Sequence, residues 1–154
     1  MSVRTIFVVL ALASIAATFV QGAEQLPDDI DSWLRSYTAS TSTAVPRPVP
    51  YNADVTAMAE GTVSAEPATA VLFTLEGVRG GTDYLQYLGL FWNRRGHHVF
   101  CCVAQVGGKG IGDVDSIKMV GGLIRLGGFL FVEGVDAMCC PSKPYVADLS
   151  LIHI

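Results

Sequence analysis

Two short apolar runs, the first followed by a glycine loop, constrain the fold of this chain most strongly. Residues 70–75 and 97–105 contain few polar side chains, and a short run of this kind is typical of a strand covered on both faces. Four large side chains between the runs are spaced like one apolar face of a helix: Tyr84, Tyr87, Leu88 and Phe91. The order strand, loop, helix, strand predicts a crossover connection, which joins parallel strands.

The predicted helix has signals at both ends. Thr82 is suited to cap its start, and Asp83 suits the positive end of the helix dipole. Arg94 and Arg95 are cations at its end, and Gly96 is a residue that commonly terminates helices.

The second half of the chain repeats this pattern. A second helix is predicted to begin at Asp113 or Asp115 and to end at residues 127–128, with three side chains on one face: Ile117, Val120 and Ile124. Further strands are predicted over residues 129–134 and 143–148. The fold class predicted is therefore α/β, an incomplete Rossmann-like domain with a mostly parallel sheet and helices on both faces.

Such sheets bind ligands beyond the carboxyl ends of their strands. The loop at residues 79–82 follows one predicted strand and residues 133–137 follow another, and backbone N–H groups at a helix start can meet an anion or a sugar hydroxyl. We therefore predict five substrate-binding residues: Gly80, Gly81, Thr82, Glu133 and Asp136. The alternative is a glycine turn that only packs the helix on the strand. No catalytic residue is assigned.

The N-terminal third has a different character. An apolar run of residues 5–20 ends in small residues, which predicts a secretory signal peptide over residues 1–22 and location in the secretory pathway or outside the cell. An uncleaved membrane anchor is the alternative. Residues 23–69 have the composition of a polar Ser/Thr/Pro-rich linker or stem, disordered apart from a short helical piece within residues 23–37 that has Trp33 and Leu34 as apolar contacts. A net charge of −4 without a basic patch makes nucleic acid an unexpected partner.

The segment "VLFTLEGVRGGTDYLQYLGLFWNRRGHHVFCCV" resembles the opening of a GT-B glycosyltransferase, with Arg95, Gly96, His97 and Val99 in place of an Arg-Gly-His-x-Val stretch. A later Lys-Pro-x-Val-x-Asp stretch, residues 143–148, is similar to that family as well. The resemblance implies that residues 70–148 are the N-terminal half of a secretory-pathway glycosyltransferase. It implies a nucleotide-sugar donor as substrate, a glycan or lipid acceptor, and no other cofactor.

This chain departs from the family in two respects. Glu133 lies near the position where the family often has a histidine, and no residues remain for the second Rossmann-like domain that completes the cleft. We therefore expect this fragment to be inactive. Two other interpretations stay open: a methyltransferase fragment, on the segment "GDVDSIKMVGGLIRLGGFLFVEG", and a secreted, non-catalytic, disulfide-linked interaction protein.

The cysteines occur as two doublets, at residues 101–102 and 139–140. Adjacent residues of a regular strand point to opposite faces, so Cys101 and Cys102 are not expected to share a partner. Buried thiols and a bridge between the doublets both stay open, and no metal site is predicted because at most two ligands share a face. Residues 149–154 end the chain abruptly, and one back-translation matches a transposon-end sequencing adapter; we expect this tail to be non-native.

Overall fold

The computed structural model describes residues 26–41, 53–77, 83–137 and 140–150. In these residues the chain forms one helix and seven strands: α1 (Asp28–Thr41), β1 (Ala53–Val63), β2 (Glu66–Glu76), β3 (Tyr84–Arg94), β4 (His97–Gly108), β5 (Gly112–Val120), β6 (Leu123–Leu130) and β7 (Lys143–Leu149). The predicted fold class was wrong. The strands follow one another across a single sheet in the order β1 to β7, and every neighbouring pair is antiparallel. The resemblance to a Rossmann-like GT-B domain is overturned with it, since that domain has a parallel sheet with helices between its strands.

The sheet folds on itself at the connection between β4 and β5. These two strands share one residue pair, Gly108 with Gly112, and then separate into a first sub-sheet, β1–β4, and a second sub-sheet, β5–β7. The far end of β5 lies against β1, where a Cβ added to Gly61 would be 2.7 Å from Cβ of Met119. The second sub-sheet therefore crosses over one face of the first.

The main core fills the space between the two sub-sheets. Its buried members come from both: Val63, Ala68, Ala70, Leu72, Leu88, Leu90, Val114, Ile117, Ile124 and Leu126. Because the apolar side chains of both sub-sheets meet here, this layer accounts for most of the burial that stabilises the fold.

The helix α1 covers the opposite face of the first sub-sheet. Ile30 and Leu34 of the helix are fully buried and pack with four buried residues of β2 and β3: Val71, Phe73, Leu75 and Phe91. The molecule thus has three layers, α1, the first sub-sheet and the second sub-sheet. The strands β2 and β3 are covered on both faces because they lie in the middle layer.

This position explains why the predicted first helix is the strand β3. A strand buried on both faces is apolar at almost every residue, so Tyr84, Leu88 and Phe91 satisfy a helical spacing without forming a helix. The apparent helix-ending signal is a hairpin turn: Arg95 and Gly96 have φ values of 52° and 81°, as a two-residue turn between antiparallel strands requires.

The predicted second helix is the hairpin β5–β6. Its face of Ile117, Val120 and Ile124 is divided by a turn at Gly121 and Gly122, and Val120 is exposed while the other two are buried. The strand predicted over residues 129–134 is displaced, since β6 ends at Leu130. The predicted strands at residues 70–75, 97–105 and 143–148 are confirmed within β2, β4 and β7.

The short helix predicted within residues 23–37 is confirmed as α1, although it runs on to Thr41. The predicted linker, residues 23–69, contains both α1 and β1; the division of the chain into domains itself stays a prediction. The predicted signal peptide and residues 151–154 of the predicted tail lie outside the described residues. Across the described ranges, no helix is long and apolar enough to span a membrane.

Candidate functional site

Three connections between strands leave the sheet at one end, which we call the loop end. A row of paired residues crosses the strands there: Leu75, Leu85, Gly108, Gly112, Leu130 and Lys143. The β2–β3 connection, the β4–β5 turn and the β6–β7 connection all leave the sheet beside this row. Of the five predicted site residues, Glu133 and Asp136 lie in one of these connections, between β6 and β7.

Gly80, Gly81 and Thr82 lie outside the described residues. The strands on either side of them form a hairpin, closed by the Gly77 N–H, which donates to the Asp83 carbonyl at 2.7 Å. The helix start that was expected to supply free N–H groups is therefore absent from residues 83–94. The assignment of these three residues to a substrate site stays a prediction without that support.

Glu133 and Asp136 lie in the β6–β7 connection, where Glu133 is exposed. One oxygen of Asp136, Oδ2, accepts hydrogen bonds from the backbone N–H groups of Val132 at 2.8 Å and Ser142 at 3.1 Å. Hydrogen bonding from Ser142, then from Val132, lowers the pKa of Asp136. This carboxylate holds the two ends of the connection together, a structural role that needs no ligand.

Polar contacts also tie the other two loops of this end. Nζ of Lys109 lies 3.3 Å from Oδ1 of Asp83, and the Tyr84 hydroxyl donates to Oδ1 of Asp113 at 2.5 Å. Each of these two contacts joins two connections or two strands. Polar side-chain contacts therefore hold the loop end together.

A different surface carries a group of partly exposed aromatic side chains. Four rings, which we call the aromatic surface, lie between α1 and the first sub-sheet: Trp33, Tyr37, Tyr87 and Phe100. The Trp33 ring is stacked on Tyr37, with centroids 4.9 Å apart, and on Phe100 at 4.4 Å. Tyr37 meets Tyr87 edge to face at 5.9 Å. The four rings therefore form a continuous line in the order Phe100, Trp33, Tyr37 and Tyr87.

Buried aromatic rings of β2 and β3 pack against the aromatic surface on its inner side. Trp33 meets Phe73 and Phe91 edge to face at 6.2 and 5.3 Å, and both of these residues are buried in β2 and β3. Phe100 also contacts Phe91, at 5.9 Å. Edge-to-face and offset-stacked pairs are favoured by the ring quadrupole, so the outer rings are held in fixed orientations.

A polar clamp fixes α1 beside β4. The His98 backbone N–H donates to Oδ2 of Asp29 at 2.6 Å, and Nδ1 of the His98 ring lies 2.9 Å from Asp29 Oδ1. Partial burial is the largest single influence on the pKa of Asp29 and raises it, but the hydrogen bonds and charge of His98, with the N–H of Ile30, outweigh burial and lower the pKa. The carboxylate therefore stays ionised and keeps the helix attached.

The clamp does not form a catalytic site with the groups that the structure describes. His98 pairs with a carboxylate as in hydrolase triads, yet within these ranges neither a serine nor a cysteine hydrogen-bonds to its ring. The described residues also contain no group of three or more His, Cys, Asp or Glu side chains able to hold a metal ion. The contacts of Asp29 and His98 that the structure shows are those that hold α1 against β4.

The expectation that Cys101 and Cys102 point to opposite faces was wrong. Leu90 pairs with Cys102 and Phe91 with Phe100, so Cys101 is the extra residue of a bulge in β4. Both thiols are free and pack against the core between the sub-sheets. Burial, with the hydrogen bond and charge of Cys101, raises the pKa of Cys102 to about 12. A neutral thiol of this kind is a packing group and a poor nucleophile.

The sequence analysis named two residues of the aromatic surface, but it did not predict that their side chains contact each other. Trp33 was expected to be an apolar contact of a short helix, and Phe100 was predicted to lie in a strand covered on both faces. The contact between them joins residues 67 positions apart, and no local pattern carries it. No protein-family model matches the chain, and no curated protein or solved structure is significantly similar to it.

Proposed function

We propose that this protein is a non-catalytic interaction protein of the secretory pathway that binds a protein partner through the aromatic surface. The observation that carries the proposal is the exposure of Phe100, 40% of its surface, at the end of a line of rings that buried residues hold in place. Aromatic side chains with fixed rotamers are the commonest anchors of protein interfaces, because little entropy is lost when they are covered. The secretory location rests on the apolar segment predicted to be a signal peptide.

The glycosyltransferase interpretation loses its support because it depended on a Rossmann-like half-domain. The interpretation as a secreted interaction protein, which the sequence left open, does not depend on whether the sheet is parallel or antiparallel. The loop end gives catalysis little support, since three of its carboxylates, Asp83, Asp113 and Asp136, each contact other groups of the chain.

The geometry of the rings favours a protein over a sugar as the ligand. A sugar ring binds flat against the face of an aromatic side chain. The Trp33 ring is nearly parallel to Tyr37 and to Phe100, with interplanar angles of 12° and 20°, so its stacking partners are already within the chain. Ring edges and the outer surface of Phe100 remain for a partner, and these suit apolar side chains.

Charged residues of both signs lie on the same elements as the rings or next to them. Asp28 and Asp31 lie in the first turn of α1, and Arg94 and Arg95 precede β4. Residues advance by about 3.3 Å along a strand, which places Arg95 within roughly 20 Å of Phe100. An apolar centre with a polar rim of both signs is typical of such surfaces.

A peptide-library selection tests this proposal even though the partner is unidentified. Purified protein is used to select binders from a random displayed peptide library, and affinities are measured by fluorescence anisotropy for wild type, Phe100→Ser and Val135→Ser. Val135 is the matched control, since it is 76% exposed in the β6–β7 connection.

We expect Phe100→Ser to weaken binding about tenfold or more and Val135→Ser to leave it unchanged. Thermal melts of both variants show whether the fold is kept. Equal affinities for wild type and a folded Phe100→Ser variant would refute the assignment of the site.

A further inference from the structure

We infer that β7 is a self-association edge, at which two copies of this chain pair antiparallel about a two-fold axis. The open edges of the sheet are the first observation. In the part of the chain that the structure describes, β1 and β7 pair on one side only, and β4 and β5 pair with each other through a single residue pair. Open edges present unpaired backbone N–H and C=O groups, which bind further strands.

Bulges protect three of these four edges. The register shifts at Thr56 in β1, at Cys101 and Val106 in β4 and at Asp115 in β5, each time with the extra residue on the strand that has the open edge. A bulge disrupts the regular row of N–H and C=O groups and prevents another strand from pairing along it. The edge β7 pairs with β6 over seven consecutive residues, Lys143 to Leu149, without a shift. The residues of the protective kind lie towards its ends, Lys143 and Pro144 at the start and Asp148 near the end.

The outer face beside this edge is apolar. Val146 is 69% exposed and Phe129, on the neighbouring strand, is 41% exposed. Phe129 pairs directly with Pro144, so the three side chains lie side by side. The one charged pair at this edge is internally neutralised, since Arg125 donates to both carboxylate oxygens of Asp148 at 2.7 and 2.8 Å. The edge therefore offers regular backbone groups and apolar side chains without a repelling charge at its centre.

A second copy of the chain can pair with this edge at a smaller loss of conformational entropy than a flexible peptide. Its β7 is already extended and fixed in a sheet, whereas a flexible peptide would lose conformational entropy on binding. With the two-fold axis at Val146, Val146 faces its equivalent in the partner, Tyr145 faces Ala147 and Pro144 faces Asp148. No like charges are opposed in this register, and the outer faces of both second sub-sheets become continuous.

Charge-swap variants test this arrangement. The mass in solution is measured by light scattering over a concentration series for wild type, Val146→Lys, Val146→Glu and an equimolar mixture of the two. Val99→Lys is the matched control, because Val99 is a 45% exposed valine on the bulged edge of β4.

We expect a concentration-dependent dimer for wild type and for Val99→Lys, and monomers for each Val146 variant alone. The mixture of Lys and Glu variants should restore a dimer, because the two side chains face each other across the axis; this result also shows that both variants are folded. A wild-type protein that is monomeric at all concentrations would overturn the inference. A dimer that persists in both Val146 variants, or a mixture that stays monomeric, would overturn it as well.

Discussion

Ser64 and Ala65 connect β1 to β2 in a conformation that neither residue favours. Their φ values are 51° and 68°, in the left-handed region, where a side chain crowds the following carbonyl oxygen. The hairpin turns β3–β4 and β5–β6 have glycine at the equivalent second position. Strain in the three tight turns is therefore concentrated in the one between β1 and β2.

Replacing Ala65 with glycine should stabilise the protein. Relief of about 1–2 kcal/mol of left-handed strain outweighs the added unfolded-state entropy of about 0.5–1 kcal/mol, which gives a net gain on the order of 0.5–1 kcal/mol. The free energy of unfolding in urea measures this. Ala59→Gly, in the regular part of β1, is the control and should destabilise; a loss of stability in both variants would show that φ at Ala65 stores no strain.

The clamp between α1 and β4 should depend on pH. The pKa of Asp29 is lower in the folded protein than its ordinary value of 3.8, so its contribution is fully present above that value and is lost as pH falls through the folded-state pKa. Asp29→Asn should therefore cost stability at pH 7, by about 1 kcal/mol for a partly exposed hydrogen-bonded carboxylate. The difference from wild type should shrink below pH 3.8.

Urea titrations at pH 7 and at about pH 3, below the ordinary pKa of an aspartate, measure this difference. The exposed neighbour Asp28 provides the control, and Asp28→Asn should have a much smaller effect at pH 7. A difference between wild type and Asp29→Asn that stays constant over the two pH values would show that ionisation of Asp29 does not stabilise the clamp.

At the scale of elements, sequence patterns located strands better than they distinguished strands from helices. The strands at residues 70–75 and 97–105 were identified because their apolar composition does not depend on whether the neighbouring strands are parallel or antiparallel. The predicted helix at residues 84–94 was wrong because burial on both faces makes a strand apolar at almost every position, so a 3.6-residue spacing is satisfied by chance. The line of aromatic rings was beyond local reasoning, since it forms only when α1 packs on β4.

Gln86 provides a test of how the elements are joined. This side chain is buried, donates from Nε2 to the Val114 carbonyl at 3.0 Å and accepts from the Val114 N–H at 2.7 Å. It therefore replaces backbone pairing between β3 and β5, where the sheet folds over. Gln86→Leu should cost about 2–4 kcal/mol, because the N–H and C=O of Val114 would be buried without partners.

The exposed Gln105 of β4 is the matched glutamine for this comparison. Gln105→Leu should change the free energy of unfolding in urea by less than about 0.5 kcal/mol, as expected for a surface residue. A Gln86→Leu variant as stable as Gln105→Leu would mean that the buried side-chain contacts to Val114 do not hold the two sub-sheets together.

At the scale of the whole molecule, the three layers separate the two surfaces proposed for binding. The aromatic surface lies on the side of α1, and β7 is the outermost strand of the second sub-sheet. If both proposals hold, a dimer paired through β7 presents two copies of the aromatic surface, which would bind a repeated or dimeric partner with increased avidity.

The central claim is that partners bind at the aromatic surface and leave the loop end unoccupied. Nuclear magnetic resonance of isotope-labelled protein during titration with a selected peptide tests it most directly, since it reports each residue separately. We expect signals of the Trp33 indole N–H, Phe100 and the His98 amide to shift or broaden, while those of Tyr84, Lys109 and Asp136 stay in place. Shifts confined to Tyr84, Lys109 and Asp136 would contradict the claim and return the site to the loop end of the sheet.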